Sequence, residues 1–375
     1  MKRLGWIFIL LAAVVPTWAN TKVTVQQLKD LLVSMQQSKK TDAEAADQLK
    51  GIVLNEELTS SAANSLKGYL PGPLTSVQVE FLKDQSAFLA PPATDLPAAP
   101  PPDAAAQQAI LAKAADFASR VYVQYPHLSV SKTMLRFEDH VVKTDSMGLA
   151  NNTSILSPVQ LVDSQVDQVE TDKGIEKTAV SREKTKWGLN GEISEGEPGT
   201  DLSSIFLEAS SSGKIRWLRW QMIDGRQTAV FSFAVEKEKS QFDVSYCCFP
   251  ETATATKVGS ASQIIMTGEV LSVSTWEPFK KVVGYHGELF INPTTGLVIR
   301  IITRAELKPT DWVYREERRI DFGSVFVAGR AYLLPRTSIT AMEAVPNAES
   351  SASNCTFRHT FFLAAYQNYK LAEPR

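Results

Sequence analysis

Cysteine and histidine are scarce in this chain, and neither sign of charge is in surplus. Three cysteines and four histidines occur in 375 residues. The histidines (His127, His140, His286, His359) are scattered and no Cys-x-x-Cys is present, so the spacing of a metal centre is missing. The metal expectation is none, and the cofactor expectation is none. Basic and acidic residues nearly balance, 39 against 41, which leaves no cationic field for nucleic acid. No Gly-x-Ser-x-Gly elbow anchors a hydrolase triad, and no Gly-rich phosphate loop precedes a helix. After the N-terminus no apolar run reaches the about 20 residues that cross a bilayer, so an integral membrane protein is not expected.

What the chain does have begins at its N-terminus. Lys2 and Arg3 precede an apolar run from Leu4 to Val15, and Thr17-Trp18-Ala19 ends on a small residue. This is the pattern of a secretory signal over residues 1–19, cleaved after Ala19. Export makes a disulfide reasonable. Neighbouring strand residues point to opposite faces, so Cys355 can bridge either Cys247 or Cys248, unless all three stay thiols. Asn152-Thr-Ser and Asn354-Cys-Thr match glycosylation sequons.

Residues 20–90 read as a helical module. Val25, Leu28, Leu31, Leu32 and Met35 share a helical face, and Thr41 or Asp42 caps a second helix with Glu44 in its first turn. A short helix runs from Ser60 to Tyr69. After the break Pro71-Gly72-Pro73 a fourth follows, with Val77, Phe81, Leu82 and Phe88 on its apolar side. Such a module either folds back on the rest of the chain or binds a protein partner. Residues 91–103, rich in proline, read as a semi-rigid linker.

Residues 104–375 open on one helix, Ala104–Tyr122, and then read as strands. Asp224-Gly225 between Lys214–Ile223 and Arg226–Glu236 is a strong hairpin signal. Its second arm places Phe231, Phe233 and Val235 on one face. On its first arm, Leu218, Trp220 and Met222 take one face, Ile215 and Trp217 the other. Val282–Asn292, Leu297–Glu306, Trp312–Phe322 and Ala331–Thr340 form an antiparallel meander, because connections this short cannot make parallel crossovers. Thr356–Leu371 is the last strand. About ten strands result, and open antiparallel sheets of that size curl or split. The expected fold class is therefore α+β: a strongly curved antiparallel sheet, a half-barrel packed on a helix, preceded by the small helical module.

No catalytic residue stands out. Asp321-Phe322-Gly323 resembles the kinase metal-binding triplet, but the catalytic loop and Gly-rich loop are absent. It reads as a turn glycine ending a strand. His286 and Glu288 share a strand face, more as a hydrogen-bonded pair than as acid and base. The remaining signal is aromatic. Trp217, Trp220, Phe231, Phe233, Tyr285, Phe290 and Trp312 either fill a core or line an apolar cavity in a curved sheet. These seven are the candidate ligand-binding residues.

Gly287-Glu-Leu-Phe-Ile-Asn-Pro293 followed by Val298-Ile-Arg-Ile-Ile302 resembles the hairpin of the LolA/LolB/RseB-like half-barrel superfamily. So does the order of one helix, a strand ending in Phe137-Glu138 and a long meander. The likeness runs from Ala104 to Leu371, and the module before the linker has no counterpart in it. What the resemblance implies is a periplasmic half-barrel with an apolar concavity for an acyl chain or a partner's segment. The expected function is an exported, non-enzymatic binding protein for a lipid, a lipoprotein acyl chain or another apolar ligand. An envelope scaffold or stress-sensing protein, with a partner on residues 20–90, is the alternative; a secreted hydrolase is a distant third.

Overall fold

The structure, a computed structural model, describes residues 21–138, 159–172, 175–177, 191–192, 202–212, 214–250, 255–257, 264–266, 276–344 and 358–372. The expected signal segment, Cys355 and both sequons lie outside them.

The N-terminal module has its own core. Strand β1 (Thr21–Val23) leads into α1 (Val25–Gln37), and α2 (Asp42–Leu49) leads into β2 (Ile52–Leu54). Then come α3 (Ser60–Leu66) and α4 (Pro73–Gln85). Threonines start three of these helices. Thr24 and Thr41 make reciprocal capping boxes with Gln27 and Glu44, and Thr59 accepts from the Ala62 amide. Pro73 opens α4, where its missing N–H costs nothing. Leu28, Leu32, Met35, Leu49, Leu66, Val79 and Leu82 bury against one another. The module is not purely helical as expected: β1 and β2 pair in parallel. These strands are three residues each, too short to show a period.

The linker is ordered. It carries a turn of 3-10 helix at Ala93–Asp95 and delivers the chain to α5 (Ala104–Asp116), capped by Asp103. A π-helical turn, Phe117–Val121, continues α5. Strands β3 (Leu128–Glu138), β4 (Gln160–Asp172), β5 (Ile175–Lys177) and β6 (Gly191–Glu192) follow, then α6 (Leu202–Ser212). Next are β7 (Arg216–Ile223), β8 (Arg226–Val235), β9 (Asp243–Pro250), β10 (Ala255–Lys257), β11 (Ile264–Met266) and β12 (Trp276–Val282). The meander is β13 (Tyr285–Ile291), β14 (Val298–Ala305), β15 (Val313–Val327) and β16 (Arg330–Ala344), and β17 (Arg358–Leu371) closes the chain.

Ten of these strands form one open antiparallel sheet in the order β5-β4-β3-β17-β16-β15-β14-β13-β8-β7. The fold class is α+β. The last strand inserts between the meander and β3, so chain ends far apart in sequence are joined at the middle of the sheet. Strands β12, β9 and β6 make a separate three-stranded sheet, and β10 pairs with β11. Strand β9 therefore stands outside the main sheet. Asp224 and Gly225 turn the first hairpin with positive φ, 47° and 74°, the conformation a two-residue turn demands. In β13 the absent side chain of Gly287 lets the Ile302 carbonyl come close; a Cβ there would lie 1.9 Å from its oxygen.

Both faces of the large sheet are covered. On one face α5, its π-helical turn and α6 press Ile110, Ala114, Phe117, Ile205 and Ala209 onto Phe231, Leu289, Ile301 and Ile320. On the other face the N-terminal module docks, and Phe88 packs on Val230, Phe290 and Ile302.

Candidate functional site

The docking of the module is incomplete, and it leaves a groove of about 920 Å³ between α4 and β2 on one side and β3, β4, β15, β16 and β17 on the other. Strand periodicity assigns its floor. Leu135 and Phe137 of β3 pair with Leu363 and Phe361 of β17, so all four project to the module-covered face. From α4, Phe81 stacks on Phe137 with ring centroids 4.7 Å apart, a geometry that adds about 0.5–1.5 kcal/mol to simple burial. The groove opens outward past Val77, 64% exposed, and Leu161, 54% exposed.

Beside the groove the module is pinned by charge. Glu57, buried, accepts from Arg300 Nη1 at 3.3 Å and Arg319 Nη1 at 2.8 Å. Arg319 Nε holds Asp321 at 2.9 Å, and Arg300 Nε bonds the same carboxylate. Burial opposes the charge on Asp321, but Arg300 and Arg319 outweigh it and hold the carboxyl below its ordinary value. Asp321 thus belongs to a buried ion cluster. His286 and Glu288 do share a face, yet Glu288 pairs with Arg219 and Arg304 while His286 lies 3.7 Å from Glu306. His359 lies 3.6 Å from Glu343 at the groove wall. On the helix-covered face Glu316 is buried beside Arg318, and burial pushes its carboxyl up.

Two further charged residues line the groove. Arg315 is bracketed by Glu317 at 2.6 Å and Glu343 at 2.5 Å. The carboxylate of Asp84, on the groove side of α4, accepts no hydrogen bond among the described residues. Burial pushes its carboxyl up to about 6; Lys83 and Arg319 oppose that rise, while Glu80 and Asp321 add to it.

The seven aromatic candidates are elsewhere; none lines the groove. Phe231, Phe233 and Tyr285 are buried in the main core beneath α6. Trp312 packs half-buried on that core. Phe290 is buried on the opposite face, with the Arg219 and Arg300 guanidiniums 5.8 and 5.4 Å from its ring centroid. Strict alternation put Trp217 and Trp220 on opposite faces. A register shift between Trp217 and Arg219 overturns this. The bulge brings the two rings within 4.8 Å of each other.

The groove itself was missed in the sequence, but it left two signals. Phe361-Phe362-Leu363 is apolar at consecutive strand positions, the mark of a strand covered on both faces. Val77, Phe81 and Asp84 follow helical spacing, which places a carboxylate in an apolar stripe. No family model, no curated protein and no solved structure matches this chain. Among the described residues no helix is long and apolar enough to cross a membrane, and no cluster of His, Cys, Asp or Glu is arranged to hold a metal ion.

Proposed function

We propose that this chain is a non-enzymatic binding protein that holds an elongated apolar ligand, of the size of a lipid acyl chain, between its helical module and its sheet. The groove carries the reading. Its volume falls within the roughly 300–1,000 Å³ of small-molecule sites, and its floor is Leu135, Phe137, Phe361 and Leu363. Export by the N-terminal signal, an envelope location and the half-barrel curvature of the LolA-like superfamily belong to the same proposal. The ligand then lies against the module, a part that superfamily lacks, rather than among the core aromatics.

Titration with the fluorescent apolar dye phenylnaphthylamine tests this. One saturable site per chain is expected. Val77→Asp, at an exposed groove position, should weaken it by about tenfold or more, the equivalent of roughly 1.4 kcal/mol. A chain that takes up no dye is not a carrier of this kind.

A protein partner is the second reading, favoured by β4. Among the described residues only Glu170–Asp172 of its outer edge is paired, by β5; on the same strand Leu161, which lines the groove, and Val166 are exposed. An added strand needs such an edge. Dye uptake that Val166→Lys leaves unchanged separates the small ligand from the partner.

A further inference from the structure

Charges around the groove say what kind of head its ligand carries. The lining includes Lys50, Glu80, Asp84, Arg315, Glu317, Glu343 and His359. Its cations already have acidic neighbours. Lys50 pairs with Asp47 at 3.2 Å, and Arg315 with Glu317 and Glu343. An anionic head entering here would have to compete with carboxylates for every guanidinium or ammonium it met. The wall carries more carboxylates than cations, so such a head would also be repelled.

Asp84 is in the reverse position. It lines the groove, and its carboxyl bonds to no described residue. From its own helix Lys83 and Glu80 act on it, and from β15 across the interface Arg319 and Asp321. Lys83 is taken by Glu80. Arg319 is taken by Asp321 and Glu57, and its Nη1 also faces the Ala87 carbonyl at 3.5 Å. A half-buried carboxylate with no donor carries a desolvation penalty that a ligand's donor removes. We propose that Asp84 is the polar anchor of the groove, and that the ligand is an amphiphile whose head donates a hydrogen bond to it, an amine or an alcohol rather than an acid. This rests on the groove reading above and deepens it. The raised carboxyl of Asp84 fits an acceptor that has no bonded donor among the described residues.

Competition against bound phenylnaphthylamine by three probes of one chain length, decylamine, decanol and decanoate, tests this at neutral pH. In the unaltered chain decylamine should bind tightest and decanoate weakest. The ends of that series should differ by about tenfold or more, the worth of a hydrogen bond to a charged group. In Asp84→Leu the order should collapse while dye uptake persists. Asp84→Asn, which keeps the shape, should lose the preference for amine over alcohol but still accept the alcohol. Decanoate binding as tightly as decylamine, or an order unchanged in Asp84→Leu, overturns the anchor and leaves the groove reading standing. Failure of the unaltered chain to take up the dye or any of the three probes overturns both.

Discussion

Two carboxyl groups on either side of the module–sheet interface are shifted in opposite directions. Asp321 is half-buried, but two guanidiniums share it, and they hold it ionised. Its contribution to stability is present at pH values above its unfolded value of about 3.9 and is lost only in stronger acid. Asp84 is half-buried without a bonded cation, so its folded value, about 6, lies above the same reference. The folded chain binds that proton more tightly than the unfolded chain does. Stability attributable to Asp84 is therefore greatest below about pH 4 and falls as pH rises to about 6. Above that window the ionised group costs the fold on the order of 2–3 kcal/mol. Asp84→Asn removes the titration. Urea midpoints should show the variant more stable than the parent at neutral pH and equal to it near about pH 4. A difference that is constant across this range would mean that Asp84 does not titrate in the folded chain as its burial demands.

At the scale of elements, the sheet's outer strand β7 is guarded by the linker. Open edges invite pairing with other chains. Trp220 on β7 donates from Nε1 to the Pro100 carbonyl at 2.9 Å, which ties the proline-rich segment along that edge. Prolines suit the task because their extended backbone exposes carbonyls and offers no N–H to extend the sheet. Trp220→Phe keeps an aromatic ring and deletes the donor. It should lower stability by about 0.5–1.5 kcal/mol and speed amide exchange in β7 more than in β14. Equal exchange in both strands would show that the linker does not protect the edge. The linker's composition was legible in the sequence; its path was not, because only Trp220 marks the contact and an indole has many uses. The same contrast runs through the sheet. The hairpin at Asp224-Gly225 and the meander β13–β16 could be read because alternation and turn residues are local. The insertion of β17 beside β3 could not, since no local pattern joins Phe361 to Phe137. The bulge near Leu218 also broke the period on which the facing of Trp217 and Trp220 had been argued.

The whole molecule holds its groove only if module and sheet keep their relation, because each supplies one wall. Three features fix that relation without help from the linker: Phe88 on Val230, Phe290 and Ile302; Phe81 on Phe137; and Glu57 between Arg300 and Arg319. The groove residues come from segments as distant as Leu49 and Leu363, which is why no reading of the chain in order could assemble it. A protease site inserted between Ala98 and Ala99, both exposed, separates the covalent tie from the packed one. After cleavage the two pieces should still elute together in size-exclusion chromatography and still take up phenylnaphthylamine. Glu57→Ala in the same nicked chain should release the module. It removes an acceptor from two buried guanidiniums, and stripping one partner from a buried ion pair costs about 3–5 kcal/mol. Pieces of the unaltered nicked chain that part at once would make the linker the only tie, and the groove would then be a gap between tethered units that no ligand of fixed shape can rely on.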